Sequence, residues 1–581
     1  MNFTEIEIPY SVIQFFKNEV KRSSTYDTLN NLLQEICGIC YFFEDDTEVE
    51  ALQGAIYLET NTLQEDARRE YGDYQTNARL ADHIIRKVNS KNTEIKLVLE
   101  PTCGKGAFIL ATLRQLKGVE RIVGIEIHEP YLWITKLSIL DYFLQEGQNS
   151  VPPKIELVNA NIFAYPLQSL NKIAESAGVL IIGNPPWVTN SELSTLDSAN
   201  VPTKVNFKNH NGIEAITGKG NFDLGEYITL QLLQAFQSCS GFIYFLVKNS
   251  VIKNILFNQK NNRFSIAELQ RLSINAKKEF GVTVSASLFV AKLNSKPAFQ
   301  CIKMNFYDDS VADTFGWYNS YFVSSIEKYK DAHFVEGSSS FTWRSGIKHD
   351  CSKVMELIKI GDEQYQNKLG EIFSIEEDLV YDLLKSSDLK TDVAKQARRK
   401  TIVTQRKVGQ PTDYIKRQYP YTYEYLSAHA DKFTNRKSSI YKNKPPFSIF
   451  GVGAYSFRKF KVAISGLYKS THFTFVQPTQ NKSVMLDDTC YFLGFEKECD
   501  AKFTQFLLNG DAVQQFLQAI IFYDSKRPIT KEVLMRIDLL RIYDNTSWDT
   551  VERQLKGSTY KQWEQYGTKL RTKSTSQLSI F

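Results

Sequence analysis

The tetrapeptide Asn184-Pro185-Pro186-Trp187 follows the apolar run "GVLIIG" with residues that cannot extend it as a strand. Both prolines lack an amide donor and fix φ at about −65°, and Pro185 also pushes Asn184 out of helical geometry. A strand stopped so abruptly can hold the Asn184 side-chain oxygen and the Pro185 carbonyl as two fixed acceptors, with the Trp187 ring beside them. Two acceptors and an aromatic face suit a planar ring that carries an amino group. Taken alone, the tetrapeptide also suits a rigid loop with Trp187 packed inside.

A second group of residues lies upstream. "LVLEPTCGKGAFILATL" reads as a strand, a tight turn at Gly104 and Gly106, and a helix. Glycines there allow close backbone approach to a ligand beside a helix N-terminus. Glu126 ends the next strand, "RIVGIEI", where a carboxylate can accept both hydroxyls of a ribose. Ile109 stands where the dinucleotide fingerprint has its third glycine, so a nucleoside suits this loop better than a pyrophosphate. Two-glycine turns are common, and the loop gains weight only beside the other groups.

These residues need a scaffold that brings strand ends together. Between about 95 and 295 the runs "EIKLVLEP", "RIVGIEI", "KIELVNANI", "GVLIIGNPP", "GFIYFLVKNS" and "VSASLFVAKL" read as strands, with helical stretches between several of them. That alternation predicts an α/β fold with a mostly parallel sheet and helices on both faces. Residues 1–70 are expected to form a helical segment, 71–300 the catalytic domain, 301–545 a mixed α+β domain and 546–581 a loosely held tail.

Strand, glycine loop, Glu126 and then N-P-P-W, in that order, closely resemble the S-adenosylmethionine-dependent adenine-N6 DNA methyltransferases of the gamma arrangement, in which the target-recognition region comes last. The resemblance implies a Rossmann-like class I methyltransferase domain. It implies cofactor contacts from Tyr74, Gln75 and Thr76, which stand for the family's Y-x-T-P without its proline, and from Glu100, Pro101, Cys103, Gly104, Gly106 and Glu126. Asn161 falls where family members usually carry aspartate near the cofactor adenine, and Asp223 falls at the next cofactor-side motif. The catalytic residues would be Asn184, Pro185, Pro186 and Trp187, with a flipped adenine stacked between Trp187 and Phe280. RNA and protein glutamine are the alternative substrates, since N-P-P-aromatic also suits other amino and carboxamide nitrogens.

The second half of the chain adds a reason to favour double-stranded DNA. Between 395 and 444 there are thirteen lysines and arginines against Asp413, Glu424 and Asp431, interleaved with Tyr414, Tyr419, Tyr421, Tyr423 and Tyr425. Such density suits phosphate and base contacts, although charge runs commonly form a solvated face. Arg406, Lys407, Arg436, Lys437, Tyr441 and Lys461 are the expected DNA contacts, in a region that also resembles the recognition part of restriction-modification methyltransferases. The Glu94-x-Lys96 pair leads into the cofactor strand and reads as structural, so cutting would fall to a separate restriction endonuclease. The terminal Gln577-Leu578-Ser579-Ile580-Phe581 resembles the short peptide that docks bacterial proteins on the sliding clamp, but a packed tail is the favoured explanation of so short a match.

Bulk composition narrows the rest. The net charge is only +5 over 581 residues, so a nucleic-acid surface must come from uneven charge distribution. Eight cysteines include one close pair, Cys37 and Cys40, with no histidines or second pair to complete a zinc set, and no metal is expected. No run approaches a membrane span and the first residues lack a basic-then-apolar signal, so a cytoplasmic, DNA-associated enzyme is expected.

Overall fold

A computed structural model describes residues 3, 6–58, 74–91, 94–145, 151–176, 178–188 and 223–578, without the side chains of 58, 176 and 575–578. It divides into two units, residues 1–322 and 323–581.

The first unit is built on strands β1 (Leu97–Glu100), β2 (Arg121–Glu126), β3 (Lys154–Asn159), β4 (Val179–Gly183), β5 (Gly241–Lys248), β6 (Ala267–Ser273), β7 (Ala286–Lys292), β8 (Gln300–Asn305), β9 (Val311–Tyr318) and β10 (Tyr321–Val323). They form one sheet in the order β10-β9-β8-β6-β7-β5-β4-β1-β2-β3. The block β3-β2-β1-β4-β5 is parallel. Residues of β1, β2, β4 and β5 are buried along nearly their whole length, as expected of strands covered on both faces. β7 inserts antiparallel between β5 and β6. The chain moves from β1 out to β2 and β3, then returns to β4 on the other side of β1. Connections therefore diverge at the carboxyl ends of β1 and β4, the topological switch point where open α/β sheets bind ligands.

Helices α1 (Tyr10–Asn18), α2 (Tyr26–Cys37), α3 (Asp46–Leu58), α4 (Ala78–Asn89), α5 (Ala107–Gln115), α6 (Glu129–Gln145), α7 (Gln168–Ser176), α8 (Leu224–Phe236), α9 (Asn249–Asn262) and α10 (Ala276–Phe280) flank the sheet. Phe3, Phe42 and Phe43 pack on the buried Trp133 of α6 at centroid distances of 4.8 to 5.9 Å, joining the amino-terminal helices to the main core. After α2, Gly38 and Cys40 hydrogen-bond to Ile155 of β3 at 2.8 and 2.9 Å. That short stretch covers the outer edge of the sheet, which would otherwise present unpaired backbone groups. Cys37 donates to the Leu33 carbonyl at 3.0 Å, and burial pushes its thiol up to about 12. Among the described residues, no group of three or more His, Cys, Asp or Glu side chains is gathered to hold a metal.

Two boundaries differ from the sequence-based expectation. The first unit continues past 300 because β8 pairs with β6, and β9 pairs with β8. β6, "AELQRLS", has only partial burial and a polar composition, so its membership of the sheet rests on its neighbours rather than on apolar pattern. Past 546, where a loose tail was expected, helices run over Trp548–Gln554 and Tyr560–Leu578. Trp563, Tyr566 and Leu570 share one buried face, and Tyr566 shares a 2.7 Å hydrogen bond with Thr504.

Within the second unit, one sheet of four strands and another of six carry the chain from 344 to 495. Of the clamp-like peptide, Gln577 and Leu578 end the last helix, while their side chains and Ser579, Ile580 and Phe581 lie outside the described residues. Among the described residues, no helix is long and apolar enough to cross a membrane.

Candidate active site

A cavity opens at the switch point. Its lining comes from the carboxyl ends of four strands: Glu100, Pro101, Cys103 and Gly104 after β1, Glu126 of β2, Asn161 after β3, and Asn184, Pro185 and Pro186 after β4. Tyr74, Gln75 and Thr76 complete the wall from the segment that leads into α4. Leu224, beside Asp223 in the expected cofactor-side motif, lines it as well, and so do Ile127, His128, Tyr131, Ile162, Phe163 and Ile228, which were not anticipated from sequence. Several of them directly follow a strand's carboxyl end, which is the sequence signal that could have found them.

The glycine turn is shaped for close approach. Gly104 and Gly106 have φ of 52° and 75°, a region costly for residues with a Cβ. A Cβ on Gly104 would stand 2.6 Å from Gln75 Oε1, the atom that accepts the Lys105 amide at 3.1 Å. Glu126 spans the turn, with Oε2 accepting the Gly104 amide at 2.8 Å and Oε1 the His128 amide at 2.8 Å. A carboxylate fixed by two amides keeps further lone pairs for a diol.

Burial shifts the titration of one carboxyl and one thiol here. Burial pushes the Glu100 carboxyl well above the usual carboxylate range, and its Oε2 has no hydrogen-bond partner among the described residues. Burial likewise raises the Cys103 thiol well above its ordinary value, with the carboxyls of Glu100 and Glu126 adding to the shift. A thiol held protonated is a poor nucleophile.

Asn184 has two differently occupied ends. Its Nδ2 donates to the Tyr74 carbonyl at 2.6 Å and to Thr76 Oγ1 at 3.3 Å. Its Oδ1 is buried and has no partner among the described residues. An unmade hydrogen bond at a buried acceptor is costly, so this oxygen is set up for a donor that the described residues do not supply.

Other predicted residues stand elsewhere. Trp187 does not line the cavity: it is 5% exposed, and its indole N–H donates to the Leu246 carbonyl at 3.1 Å. Its ring meets Phe280 edge to face at 5.0 Å and lies 5.6 Å from Tyr74. The expected sandwich of a base between Trp187 and Phe280 is therefore not the arrangement of this structure, because the two rings pack on each other. Asp223 is also absent from the cavity wall: its Oδ1 accepts the Gly225 amide at 3.0 Å at the start of α8, and its Oδ2 pairs with Lys248 at 2.8 Å. Burial raises its carboxyl, and the lysine opposes that shift.

The expected DNA contacts divide in two. Arg406, Lys407 and Lys437 are exposed. Arg436 instead lies 3.6 Å over the ring of Tyr441, which is buried, and donates to the Ser448 and His349 carbonyls at 2.7 and 3.2 Å. Lys461 is 1% exposed and donates to the Arg458 carbonyl at 2.9 Å, with burial taking its ammonium down to about 7. Arg436 is thus half-buried, while Tyr441 and Lys461 are buried. The interleaved tyrosines follow them in part: Tyr425 stacks on Phe373 at 3.7 Å and donates to the Val354 carbonyl, while Tyr421 is 65% exposed. Glu94 and Lys96 form a surface ion pair at 3.0 Å, with Glu120 at 2.9 Å on the same lysine.

The order β3-β2-β1-β4-β5-β7-β6, with a glycine loop after β1 and an acid ending β2, is the fold of a class I S-adenosylmethionine-dependent methyltransferase. No family model matches the chain. It is 38% identical over 487 residues to the Type II methyltransferase M.NspV of Nostoc sp., across 82% of this chain and 97% of that protein. The chain belongs to the Type II methyltransferases of restriction-modification systems. In fold it is similar to the Type IIL restriction-modification enzyme MmeI, solved in complex with DNA, at TM-score 0.54 and 12% identity over 99% of this chain and 91% of that one. A class I methyltransferase from Listeria monocytogenes matches at TM-score 0.30 and 14% identity, over 53% of this chain and 90% of its own. S-adenosylmethionine is the methyl donor of the family.

Proposed function

We propose that the enzyme methylates the N6 amino group of an adenine within a specific double-stranded DNA sequence, as the modification activity of a restriction-modification system. The observation that carries this reading is the buried Oδ1 of Asn184, which has no partner among the described residues, on a residue that lines a cavity whose other walls suit a nucleoside. Asn184 Oδ1 and the Pro185 carbonyl accept the two amino hydrogens of the target. The amine then becomes more pyramidal, and its lone pair is freed from the ring. Holding the reactants in this alignment lowers the barrier by about 7 kcal/mol or more at best.

The cavity's residues fit the cofactor. Glu126 takes the ribose hydroxyls, Ile127, Ile162 and Phe163 offer apolar surface to the adenine ring, Asn161 offers it an amide, and Gln75 closes over the glycine turn. When bound, S-adenosylmethionine supplies an electrophilic methyl group. Methylation at a ring carbon would need a thiolate nucleophile. Cys103, the cysteine that lines the cavity, is protonated and buried, which favours transfer to an exocyclic amine. The acceptor lies inside the cavity, so the adenine must leave the duplex at a cost of a few kcal/mol. Exposed Arg406, Lys407 and Lys437 contact the DNA backbone or bases. The chain order of cofactor loop, N-P-P-W and then the second unit supports the gamma arrangement.

Sequencing DNA for N6-methyladenine from cells with the gene, without it and with Asn184→Ala tests the reading. A sequence motif methylated only with the wild-type gene is expected. Methyl groups found on RNA or on protein glutamine, with none on adenine in DNA, would overturn it.

A further inference from the structure

The stretch Tyr74–Asn77 touches every working part of the cavity. Gln75 Oε1 accepts the Lys105 amide of the glycine turn at 3.1 Å. The Tyr74 carbonyl and Thr76 Oγ1 both accept from Asn184 Nδ2. Asn77 caps α4 by accepting the Leu80 amide at 2.9 Å, and its Nδ2 donates to Glu279 Oε2 at 3.1 Å, next to Phe280. Asn77 occupies the place of the family's proline, and its φ of −73° is close to the value a proline would impose. The cap and the tie to Glu279 therefore do by hydrogen bonding what a ring would do by covalent constraint.

The contacts to Asn184 decide which way its carboxamide points. A primary amide is nearly symmetric in shape, and rotation by half a turn exchanges its oxygen and nitrogen. Here the rotated form would set Oδ1 against the Tyr74 carbonyl oxygen and leave Nδ2, a donor, in the cavity. A donor at that position repels the amino hydrogens it should accept. The choice between the two orientations is thus made by the Tyr74 carbonyl, which can only accept, while the Thr76 hydroxyl, which can donate or accept, fixes the carboxamide in place beside it.

We propose that Thr76 is a positioning residue: with the Tyr74 carbonyl, its hydroxyl locks Asn184 in the orientation that presents Oδ1 to the target amine. Gln75 lies between those two contacts and reaches the glycine turn, so the same short stretch joins the cofactor loop to the acceptor of the target amine. The inference rests on the proposed amino methylation at Asn184 and adds the device that keeps the acceptor oriented. Thr76 acts through Asn184 and not on the reacting atoms.

Thr76→Val keeps the shape and removes the oxygen, while Thr76→Ser keeps the oxygen. For Thr76→Val, kcat for methyl transfer to duplex DNA is expected to fall about fivefold, the ratio set by loss of one hydrogen bond. The Kd for S-adenosylmethionine by calorimetry and the KM for DNA should stay within about twofold, as expected when only the transition state loses an interaction. Thr76→Ser should recover most of kcat. A Thr76→Val enzyme with wild-type kcat, a loss that appears in cofactor Kd instead, or a Thr76→Ser enzyme as slow as Thr76→Val would each overturn the proposal. If the wild type places its methyl group on a cytosine amine or a carboxamide instead, the adenine assignment fails while the Val and Ser comparison still decides the role of Thr76 on that acceptor.

Discussion

Asn184 couples two demands in one side chain: among the described residues, its nitrogen has partners and its oxygen has none. Asn184→Ala should reduce kcat on the order of 10²- to 10³-fold, as for loss of one fixed partner of the reacting group, with cofactor Kd little changed. Equal losses in Kd and kcat would show that Asn184 holds the cofactor rather than the target. Glu126 makes the converse case, since it pins the glycine turn and offers its carboxylate to a ribose. Glu126→Ala is expected to weaken S-adenosylmethionine binding by about tenfold to a hundredfold, the range for hydrogen bonds to a charged group. Calorimetry on the purified protein reads this directly, and unchanged affinity would remove Glu126 from the cofactor site.

At the scale of elements, the site depends on how α4 and β1 begin and end. Asn77→Ala removes the α4 cap and should cost about 1 kcal/mol of stability, whereas Asn77→Pro keeps the backbone angle and should cost less. Both variants lose the cap and the Glu279 contact, so denaturant titration isolates the backbone restriction, and equal losses would show that it contributes nothing at this position. The element pattern itself was largely legible. Near-continuous apolar runs gave β1, β2, β4 and β5 because those strands are buried on both faces. β6 and β8 were not anticipated, since their burial is partial and their place is fixed by ladder pairing with neighbours far along the chain.

At the scale of the whole chain, charge visible in the sequence separates into surface and interior only on folding. Replacing the exposed Arg406 and Lys407 by Ala should weaken DNA binding and reduce its salt dependence by about one unit of slope for each phosphate no longer neutralised. Lys461→Met should leave both unchanged. Lys461 carries a pH signature instead: its folded value of about 7 lies below the ordinary 10.5. The unfolded chain therefore binds the extra proton between those values, and wild-type stability rises with pH across that window. Lys461→Met should be more stable than wild type at pH 7 and below, with the advantage shrinking toward pH 10. A difference independent of pH, measured by urea denaturation, would place the lysine in contact with water.

The order of strand, glycine turn, acid and Asn-Pro-Pro was set by local chemistry: proline and glycine restrict the backbone wherever they stand, and apolar runs mark buried strands whatever their neighbours. The cavity, the cofactor side of the site and the lone oxygen of Asn184 follow from bringing four strand ends together at one switch point. Folding alone decided that Trp187 packs against Phe280, that Asp223 pairs with Lys248, that Arg436 lies over Tyr441, and that Tyr441 and Lys461 turn inward. The type of a side chain states what it can bind, but which partner it meets depends on residues tens of positions away, whose approach no local pattern encodes.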